Sequence, residues 1–504
     1  MPTQRRKLFQ ILALLSLCLP ANVNAQVKQI IEGPDKPWTY EFVVDPAPEM
    51  QPALKYRLLP DRMTLKPGNA ATSYYRAIQL FNAHPEADRK EFEECHDFGL
   101  MIRPKSTKPD GKSVEPIAIE RVHTLITKFA DVFAELKIAT HFENCDWGIG
   151  YREKDAFETM NLGFQEFFTA RSLCRLLQLK ARVAIVNGDY AEAFQFIQMS
   201  FQYGQDITRC PFIISNLIGT AICIETQVLL AEIIAHPGSP NLYWALASSP
   251  RPFVDLHASL ENELNLVFKF PIIREAEQPH TPEEWKQLFL DAAKTTQQLA
   301  SGKSPTDSAD QTSPEGFLEL VKPEYPRIKE ELVQFGYTAE QISAMPIIQV
   351  IALHEAALAR HKRDETLKLI YLPIQQASPL LEAIERPADQ ATKSRGLSSF
   401  KEAVPLFERL RPAVKRPLEA TARLERLLVR SQTIEAIRLY AAANNHRLPS
   451  SLSDITLVPI PSDPATGLPI KYRLDGETAV LEFLSFTNIP SEGEFVRVTL
   501  RKPN

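Results

Sequence analysis

Apolar residues recur at three- and four-residue spacing along much of this chain, a period typical of helices that bury one face. The clearest run covers residues 119–133, where six apolar side chains fall on one predicted helix face. Residues 213–234 are apolar on nearly every side, which predicts a central buried helix. Polar residues at Asn216, Thr220 and Glu225 argue against a membrane span there. The pattern therefore predicts a mainly α-helical fold.

Shorter patterns near the start of the chain predict strands. Residues 40–44 and 53–60 have strand-like sequences, and the second run ends at Pro60. Residues 69–81 then predict a helix. The beginning of the chain therefore mixes extended and helical segments.

The tail changes from helical to strand-like spacing. A predicted helix over residues 418–444 leads into two strand-like runs, 470–474 and 478–484, separated by an Asp475-Gly476 turn. Asp-Gly is a strong hairpin signal because both turn positions must accept a positive φ. Residues 495–500 predict a further strand. We therefore expect a small C-terminal α+β module.

One stretch, residues 177–200, has the small and apolar spacing of a tetratricopeptide repeat. Gly188 would permit a tight turn, and small residues would let two antiparallel helices approach closely. Only one good copy is present, whereas a solenoid needs about three. Two interpretations stay open, a tetratricopeptide-like array and an ordinary helical hairpin within a larger bundle.

These patterns divide the chain into six segments. The segments are 1–25, a signal peptide; 26–114, extended and helical; 115–300, a helical domain with the tetratricopeptide-like hairpin; 301–315, a polar linker; 316–430, helical; and 431–504, the α+β module.

The first 25 residues have the three parts of a secretory signal peptide. Three basic residues precede an apolar run over residues 8–19, and Val23-Asn24-Ala25 offers cleavage between small residues. The run is shorter than the roughly 20 residues that span a bilayer. The alternative is a leader retained as a membrane anchor. We expect an exported protein, periplasmic or extracellular, with no span after leader removal.

Composition is that of a globular protein. The 504 residues are 44% hydrophobic and 24% charged. Loss of the leader lowers the basic count from 57 to 54 against 62 acidic residues, so the formal charge moves from −5 to −8. Nucleic-acid partners need a basic face, and this balance disfavours them.

Five cysteines remain after the leader. Cys95 and Cys145 lie in polar, loop-like contexts, and an oxidising compartment would make them the best candidates for a disulfide. Cys174 and Cys223 lie in apolar helical segments and are expected to be buried free thiols. Cys210 is the fifth. No CxxC pair suggests zinc or thioredoxin chemistry.

Few residue pairs have metal-ligand spacing. His354-Glu355 opens like a zincin motif, but the next histidine is His361, about 10.5 Å further along a helix. His361 with Glu365 and His257 with Glu261 are four residues apart and could share an ion. Such pairs are common by chance, and surface or seam side chains are the simpler interpretation. We expect no metal and no cofactor.

Two other polar groups have a structural and a functional interpretation. Arg251 and Asp255, at a predicted helix-to-helix corner, could pair with each other, or Arg251 could bind an anion. An acidic cluster could hold a cation, although a solvated face is the simpler interpretation. The cluster consists of Glu91, Glu93, Glu94, His96 and Asp97.

Several phrases together resemble a known family. They are Ala53-Leu-Lys-Tyr-Arg-Leu-Leu-Pro60, Gly68-Asn-Ala-Ala71 with Tyr74-Tyr-Arg-Ala77, Cys145-Asp-Trp-Gly148, and Asn241-Leu-Tyr-Trp-Ala-Leu246 leading to Pro250-Arg-Pro-Phe253. The chain resembles a family of exported helical proteins from planctomycete bacteria. That resemblance implies export and a helical fold but no reaction.

The tail has a resemblance of its own. Leu448-Pro-Ser-Ser-Leu452, Asp463-Pro-Ala-Thr-Gly-Leu-Pro469 and Tyr472 are similar to the end of a type II secretion pseudopilin, in which a long helix feeds a small sheet. A pseudopilin begins with a retained apolar helix, whereas this chain begins with a cleavable leader. The resemblance therefore implies a shared module more than a filament role.

No compact catalytic motif such as GxSxG, a Walker loop or a dinucleotide fingerprint occurs in the sequence. The leading hypothesis is a non-enzymatic scaffold or protein-binding module of the periplasm or cell envelope, because helical hairpins offer surfaces for peptides and proteins. The alternatives are an envelope hydrolase or metal-dependent enzyme, and an accessory of a secretion apparatus. Catalytic residues and oligomeric state are not predicted.

Overall fold

The computed structural model describes most of the chain after the predicted leader. The described residues are 27–30, 37–95, 106–107, 113–114, 119–160, 162, 165–301, 318–319, 321–395, 412–485 and 493–502. The predicted signal peptide and all but the first residue of the predicted linker 301–315 lie outside them. The described part is mainly helical with a small sheet that includes the C-terminal strands, which confirms the predicted fold class.

The chain folds into two compact units, and neither is continuous in sequence. Unit 1 combines the described parts of Ile149–Gly163 and His257–Arg416, and unit 2 combines those of residues 27–148, Phe164–Leu256 and Pro417–Asn504. Each unit therefore gathers segments that are remote in the sequence.

Unit 2 contains all the strands of the described residues and the apolar helix α8, which is largely buried. Its helices are α1 (Ala71–Ala83), α2 (Glu86–Cys95), α3 (Ile119–Lys128), α4 (Ala130–Ala139), α6 (Gln165–Val186), α7 (Tyr190–Thr208), α8 (Ile213–Ala235), α9 (Tyr243–Ala247) and α17 (Lys415–Ala443, from Pro417 onward). Its strands are β1 (Val27–Ile30), β2 (Trp38–Val44), β3 (Lys66–Asn69), β4 (Ser106–Thr107), β5 (Ser113–Val114), β6 (Phe142–Asn144), β7 (Lys471–Asp475), β8 (Thr478–Phe483) and β9 (Glu494–Leu500).

The predicted C-terminal hairpin belongs to a larger mixed sheet. Five strands follow the order β1-β2-β9-β8-β7. Strand β9 is parallel to β2, with Trp38 opposite Glu494 and Val44 opposite Leu500. The hairpin turns at Gly476, which has a φ of +61°. The sheet therefore joins the first described strands of the chain to the last.

Helices α6, α7 and α8 pack side by side in the core of unit 2. Gly188 ends α6 at a φ of +72°, and the Asp189 side chain caps α7 by accepting from the Glu192 N–H at 2.9 Å. The predicted helical hairpin is confirmed. Helix α8 is long and apolar enough to cross a membrane, but most of it is buried in the protein, as expected for a core helix.

Two local predictions are wrong. Residues 53–60 form turns and bends, because the Lys55 N–H closes a turn on the Pro52 carbonyl at 2.9 Å. The apolar run over 119–133 is divided between α3 and α4, which meet at Phe129.

Unit 1 is helical around a core that includes Trp285, Leu332 and Leu353. Its helices are α5 (Ala156–Met160), α10 (His257–Leu264), α11 (Pro271–Arg274), α12 (Pro282–Ser301), α13 (Tyr325–Gln334), α14 (Ala339–Ala344), α15 (Ile347–Ile370) and α16 (Ile374–Arg395).

Candidate functional site

The strongest concentration of buried charge lies on α17 in unit 2. Arg426, Arg430, Glu435 and Arg438 are all at most 4% exposed. Spacings of four and eight residues place the three arginines on a gently winding stripe of the helix. Because arginine is seldom fully buried without a partner, this stripe is the first place to look for a functional site.

Arg426 binds a turn that precedes β7. Its guanidinium makes a two-pronged contact with the Asp463 carboxylate, at 3.1 and 2.9 Å, and donates to the Leu484 carbonyl at 2.6 Å. The same carboxylate accepts from the Ala465 N–H at 3.0 Å and so shapes the Asp-Pro turn. Such fork-to-fork pairs are geometrically specific. Arg426 therefore fixes the turn against α17.

Arg430 joins the helix to the sheet. Its Nη1 donates to Glu494 Oε2 at 3.0 Å, and its guanidinium carbon lies 4.5 Å from the ring centre of Tyr40. Glu494 begins β9 and Tyr40 lies in β2. Burial raises the pKa of the Tyr40 phenol well above its usual value. The arginine thus contacts both members of the parallel strand pair.

Arg438 holds the segment that follows β2. It donates to the carbonyls of Asp45 at 2.8 Å and Ser239 at 2.9 Å, and it pairs with Glu435 at 2.9 Å. Burial raises the pKa of the Glu435 carboxyl to about 6, and the Arg438 charge opposes that rise. These three buried arginines of α17 therefore bind acids or carbonyls of unit 2 itself.

A second buried cluster surrounds Asp206 of α7. Tyr74 donates to its Oδ2 at 2.7 Å, Gln202 donates to Oδ1 at 3.0 Å, and Arg209 lies 3.4 Å away. The Trp147 indole N–H donates to the backbone carbonyl of Asp206 at 2.8 Å. Burial raises the pKa of the Asp206 carboxyl to about 6. This acid can exchange a proton near neutral pH.

Aromatic rings and a thiol enclose the Asp206 cluster. The Tyr74 ring stacks on Trp147 with centroids 5.6 Å apart and lies 4.7 Å from the Tyr203 ring. Burial, with Asp206 nearby, raises the pKa of the Cys145 thiol. These apolar walls keep water from the carboxyl and account for its raised pKa.

The structure corrects one cysteine prediction and confirms another. Cys145 is a buried free thiol, so it does not form the disulfide with Cys95 that was expected in an oxidising compartment. Its side chain is 6% exposed, whereas the sequence context predicted an accessible loop. Cys174 and Cys223 are buried free thiols, as predicted. Burial raises the pKa of Cys174 and of Cys210 to about 12. Such thiols are poor nucleophiles at neutral pH.

His354, the first histidine of the zincin-like sequence, binds a carboxylate from another helix. His354 of α15 is buried, and its Nε2 lies 2.6 Å from the Glu331 carboxylate of α13. Arg327 also binds Glu331, and the His354 contact together with Arg327 lowers the pKa of that carboxyl. This group links two helices of unit 1.

The other predicted pairs also have protein neighbours. Glu365 pairs with Lys368 one turn further along α15, and His361 lies against the Phe335 ring. The ring of His257 packs on Tyr371 at 4.9 Å between centroids. Among the described residues, no three histidine, cysteine, aspartate or glutamate side chains converge as a metal site would require.

The acidic cluster on α2 binds cations from α3. Glu91 contacts Arg121 at 3.0 Å and Lys128 at 3.2 Å, while Asp88 contacts Lys128 at 2.7 Å. The hydrogen bond from Arg121 and that from Lys128 lower the pKa of the Glu91 carboxyl. The last two residues of the predicted cluster lie outside the described residues. In the described residues, this acidic surface of α2 therefore forms an ionic contact with α3.

Arg251 has partners other than the predicted Asp255. Its Nη2 donates to the Gln432 amide oxygen at 2.8 Å, and its Nη1 lies 3.6 Å from Glu425. Both partners lie on α17, which the sequence spacing could not place beside the Pro250–Phe253 corner. Arg251 therefore fixes the corner to α17, a contact that the predicted local pair did not include.

Sequence reasoning missed both buried clusters. The sequence of α17 does contain a signal for its cluster, since charged residues interrupt an apolar helix at four-residue spacing. Such a stripe of charges usually faces water, so it does not by itself predict buried ion pairs. Asp206 had no signal, because Tyr74 lies 132 positions away from it.

Some large apolar side chains are exposed on unit 1. Tyr371 is 74% exposed and Leu372 37%, and both lie in the connection between α15 and α16. An exposed tyrosine beside a leucine offers a contact of the type that anchors protein interfaces.

The comparisons supply no relative. No protein-family model, no curated protein and no solved structure matches this chain.

Proposed function

We propose that this protein is an exported, non-enzymatic helical scaffold that binds protein or peptide partners in the periplasm or cell envelope. The leader pattern in residues 1–25 supports export. The resemblance to exported planctomycete proteins supports the same compartment.

The observation that carries the proposal is the pairing of buried ionisable groups with one another. Arg426 faces Asp463, Arg438 faces Glu435, and Asp206 faces Tyr74. A catalytic site instead aims its acid, base or nucleophile at a place where a reacting atom can lie. These pairs stabilise the positions of segments, which is what a rigid scaffold requires.

The proposed partner contact is the exposed Tyr371-Leu372 connection. Affinity capture from envelope extracts tests it, with the mature protein as bait and Tyr371→Ser as the variant. Met63→Ser is the matched control, because Met63 is 91% exposed but lies in unit 2. We expect the wild type and the control to retain the same partners and the Tyr371 variant to lose them. Equal capture by all three baits would contradict the proposed contact.

The same preparation separates the alternatives. Components of a secretion apparatus among the captured proteins would favour the accessory role suggested by the tail. A stoichiometric metal ion in the purified protein would favour a metal-dependent enzyme.

A further inference from the structure

Strand β7 lies at the end of the five-stranded sheet. In the described part of the chain it pairs on one side, with β8. Leu474, in β7, is 41% exposed. An edge strand presents backbone donors and acceptors that can pair with a further strand.

The hairpin register determines which backbone groups face outward. Asp475 lies opposite Thr478 across a two-residue turn, so these two residues form a hydrogen-bonded pair. Hydrogen-bonded and non-hydrogen-bonded pairs alternate along an antiparallel ladder. Tyr472 and Leu474 therefore direct their backbone N–H and C=O groups away from β8.

The side chains of β7 are complementary to those of a second β7. Arg473 and Asp475 share one face, are both exposed, and lie 3.2 Å apart within the strand, where they can exchange this contact for one with a second copy. In an antiparallel pairing centred on Leu474, that leucine lies opposite its own copy and each Arg473 lies opposite Asp475 of the second copy. Both of these opposed pairs join charges of opposite sign.

Neighbouring registers lack this complementarity. Centring on Arg473 sets two arginines opposite each other, and centring on Tyr472 sets Lys471 opposite Arg473. Like charges directly opposite each other destabilise a strand pair. Charges on an edge strand usually prevent association, but here one register makes them attractive.

We propose that β7 is a self-association surface, through which two copies of this chain pair antiparallel about Leu474 and continue one sheet across both copies. This inference goes beyond the scaffold function and does not rest on it.

Charge reversal tests the register in the purified mature protein. Sedimentation at low salt over a concentration series would measure the dimer dissociation constant. We expect Asp475→Arg or Arg473→Asp alone to weaken the dimer by about tenfold or more, because each change creates two repulsive pairs. The double variant, which carries both Arg473→Asp and Asp475→Arg, should restore the dimer. Glu319→Arg, an exposed reversal in unit 1, is the control and should leave it unchanged.

A cross-link gives a second readout. Opposed residues of a hydrogen-bonded pair have Cα atoms roughly 5.5 Å apart, which is within disulfide range. Leu474→Cys should therefore form a covalent dimer under mild oxidation, whereas the wild type and Leu468→Cys should not. The proposal is overturned if the wild type is monomeric at every concentration, if single reversals leave the dimer intact, or if the double reversal fails to restore it.

Discussion

The phenol of Tyr74 donates a hydrogen bond of 2.7 Å to the carboxylate of Asp206, and both side chains are fully buried. This contact joins α1 to α7 across 132 positions of the sequence. Its energetic consequence depends on the protonation of Asp206, because burial raises the pKa of that carboxyl from 3.8 to about 6.

The first prediction concerns pH. An acid whose pKa is raised on folding stabilises the protein fully below its unfolded pKa, and this contribution is lost as the pH rises through the folded pKa. Asp206→Asn stays neutral. The stability of the wild type relative to this variant should therefore fall by about 1–3 kcal/mol between about pH 4 and pH 7. Denaturant unfolding of both proteins at several pH values measures this difference in the free energy of unfolding.

Met63→Ser is the control for that experiment, since Met63 is 91% exposed and carries no ionisable group. Its difference from the wild type should be nearly independent of pH over the same range. A flat difference for Asp206→Asn would contradict the burial argument.

The second prediction concerns the Arg438–Glu435 pair. Arg438→Met leaves a buried carboxylate without its partner and should lower the free energy of unfolding by about 3–5 kcal/mol. Adding Glu435→Leu should recover part of that loss. Arg497→Met, which removes an exposed contact with Glu41 at 3.9 Å, should cost less than about 1 kcal/mol. Equal losses for Arg438→Met and Arg497→Met would show that the buried pair is not structural.

The third prediction concerns the contact between α7 and α8. A Cβ at Gly219 would lie 2.4 Å from the Gly204 carbonyl oxygen, and a backbone atom cannot easily move away. Gly219→Ala should therefore destabilise by about 1–3 kcal/mol, although alanine normally favours a helix. Gly188→Asn is the control, because that turn has open space and asparagine accepts its positive φ. Thermal unfolding would compare them; a Gly219→Ala variant as stable as the wild type would refute the tight contact.

The fourth prediction concerns Lys269 in unit 1. Its ammonium donates to the carbonyls of Tyr151 and Lys154, the latter at 2.8 Å, and to the Thr159 hydroxyl at 3.2 Å. Lys269→Met leaves these acceptors without that donor. Hydrogen exchange in residues 151–160 should accelerate by about 5–30-fold, which corresponds to a local loss of about 1–2 kcal/mol.

Lys322→Met is the matched control for Lys269, because Lys322 is exposed and pairs only within its own turn among the described residues. Exchange over 151–160 should be unchanged in it. Unchanged exchange in Lys269→Met as well would mean that the segment is held by other contacts.

The sequence predicted features whose signals are local. The hairpin of α6 and α7 follows from Gly188 and its flanking apolar spacing. The C-terminal hairpin follows from a glycine between alternating strands, although the turn positions are Gly476 and Glu477 instead of Asp475 and Gly476. Each signal acts within about ten residues, so distant segments cannot override it easily.

Non-local features escaped prediction for the same reason. No local pattern indicates that β2 pairs with β9, or that unit 1 combines two separate segments. From the sequence, the buried arginines of α17 would be assigned to the surface. Their partners Asp463, Glu494 and the Asp45 carbonyl come from distant segments of the chain. Periodicity predicts which face is apolar, but not which charges acquire partners.

Site-specific photo-crosslinking in cells tests the proposed scaffold function most directly. A photoreactive benzoylphenylalanine would replace Tyr371 in one strain and Met63 in another, and the envelope fraction would be analysed after irradiation. We expect discrete cross-linked partner proteins from position 371 and none of them from position 63. Identical patterns from both positions, or no cross-linked protein from position 371, would contradict it.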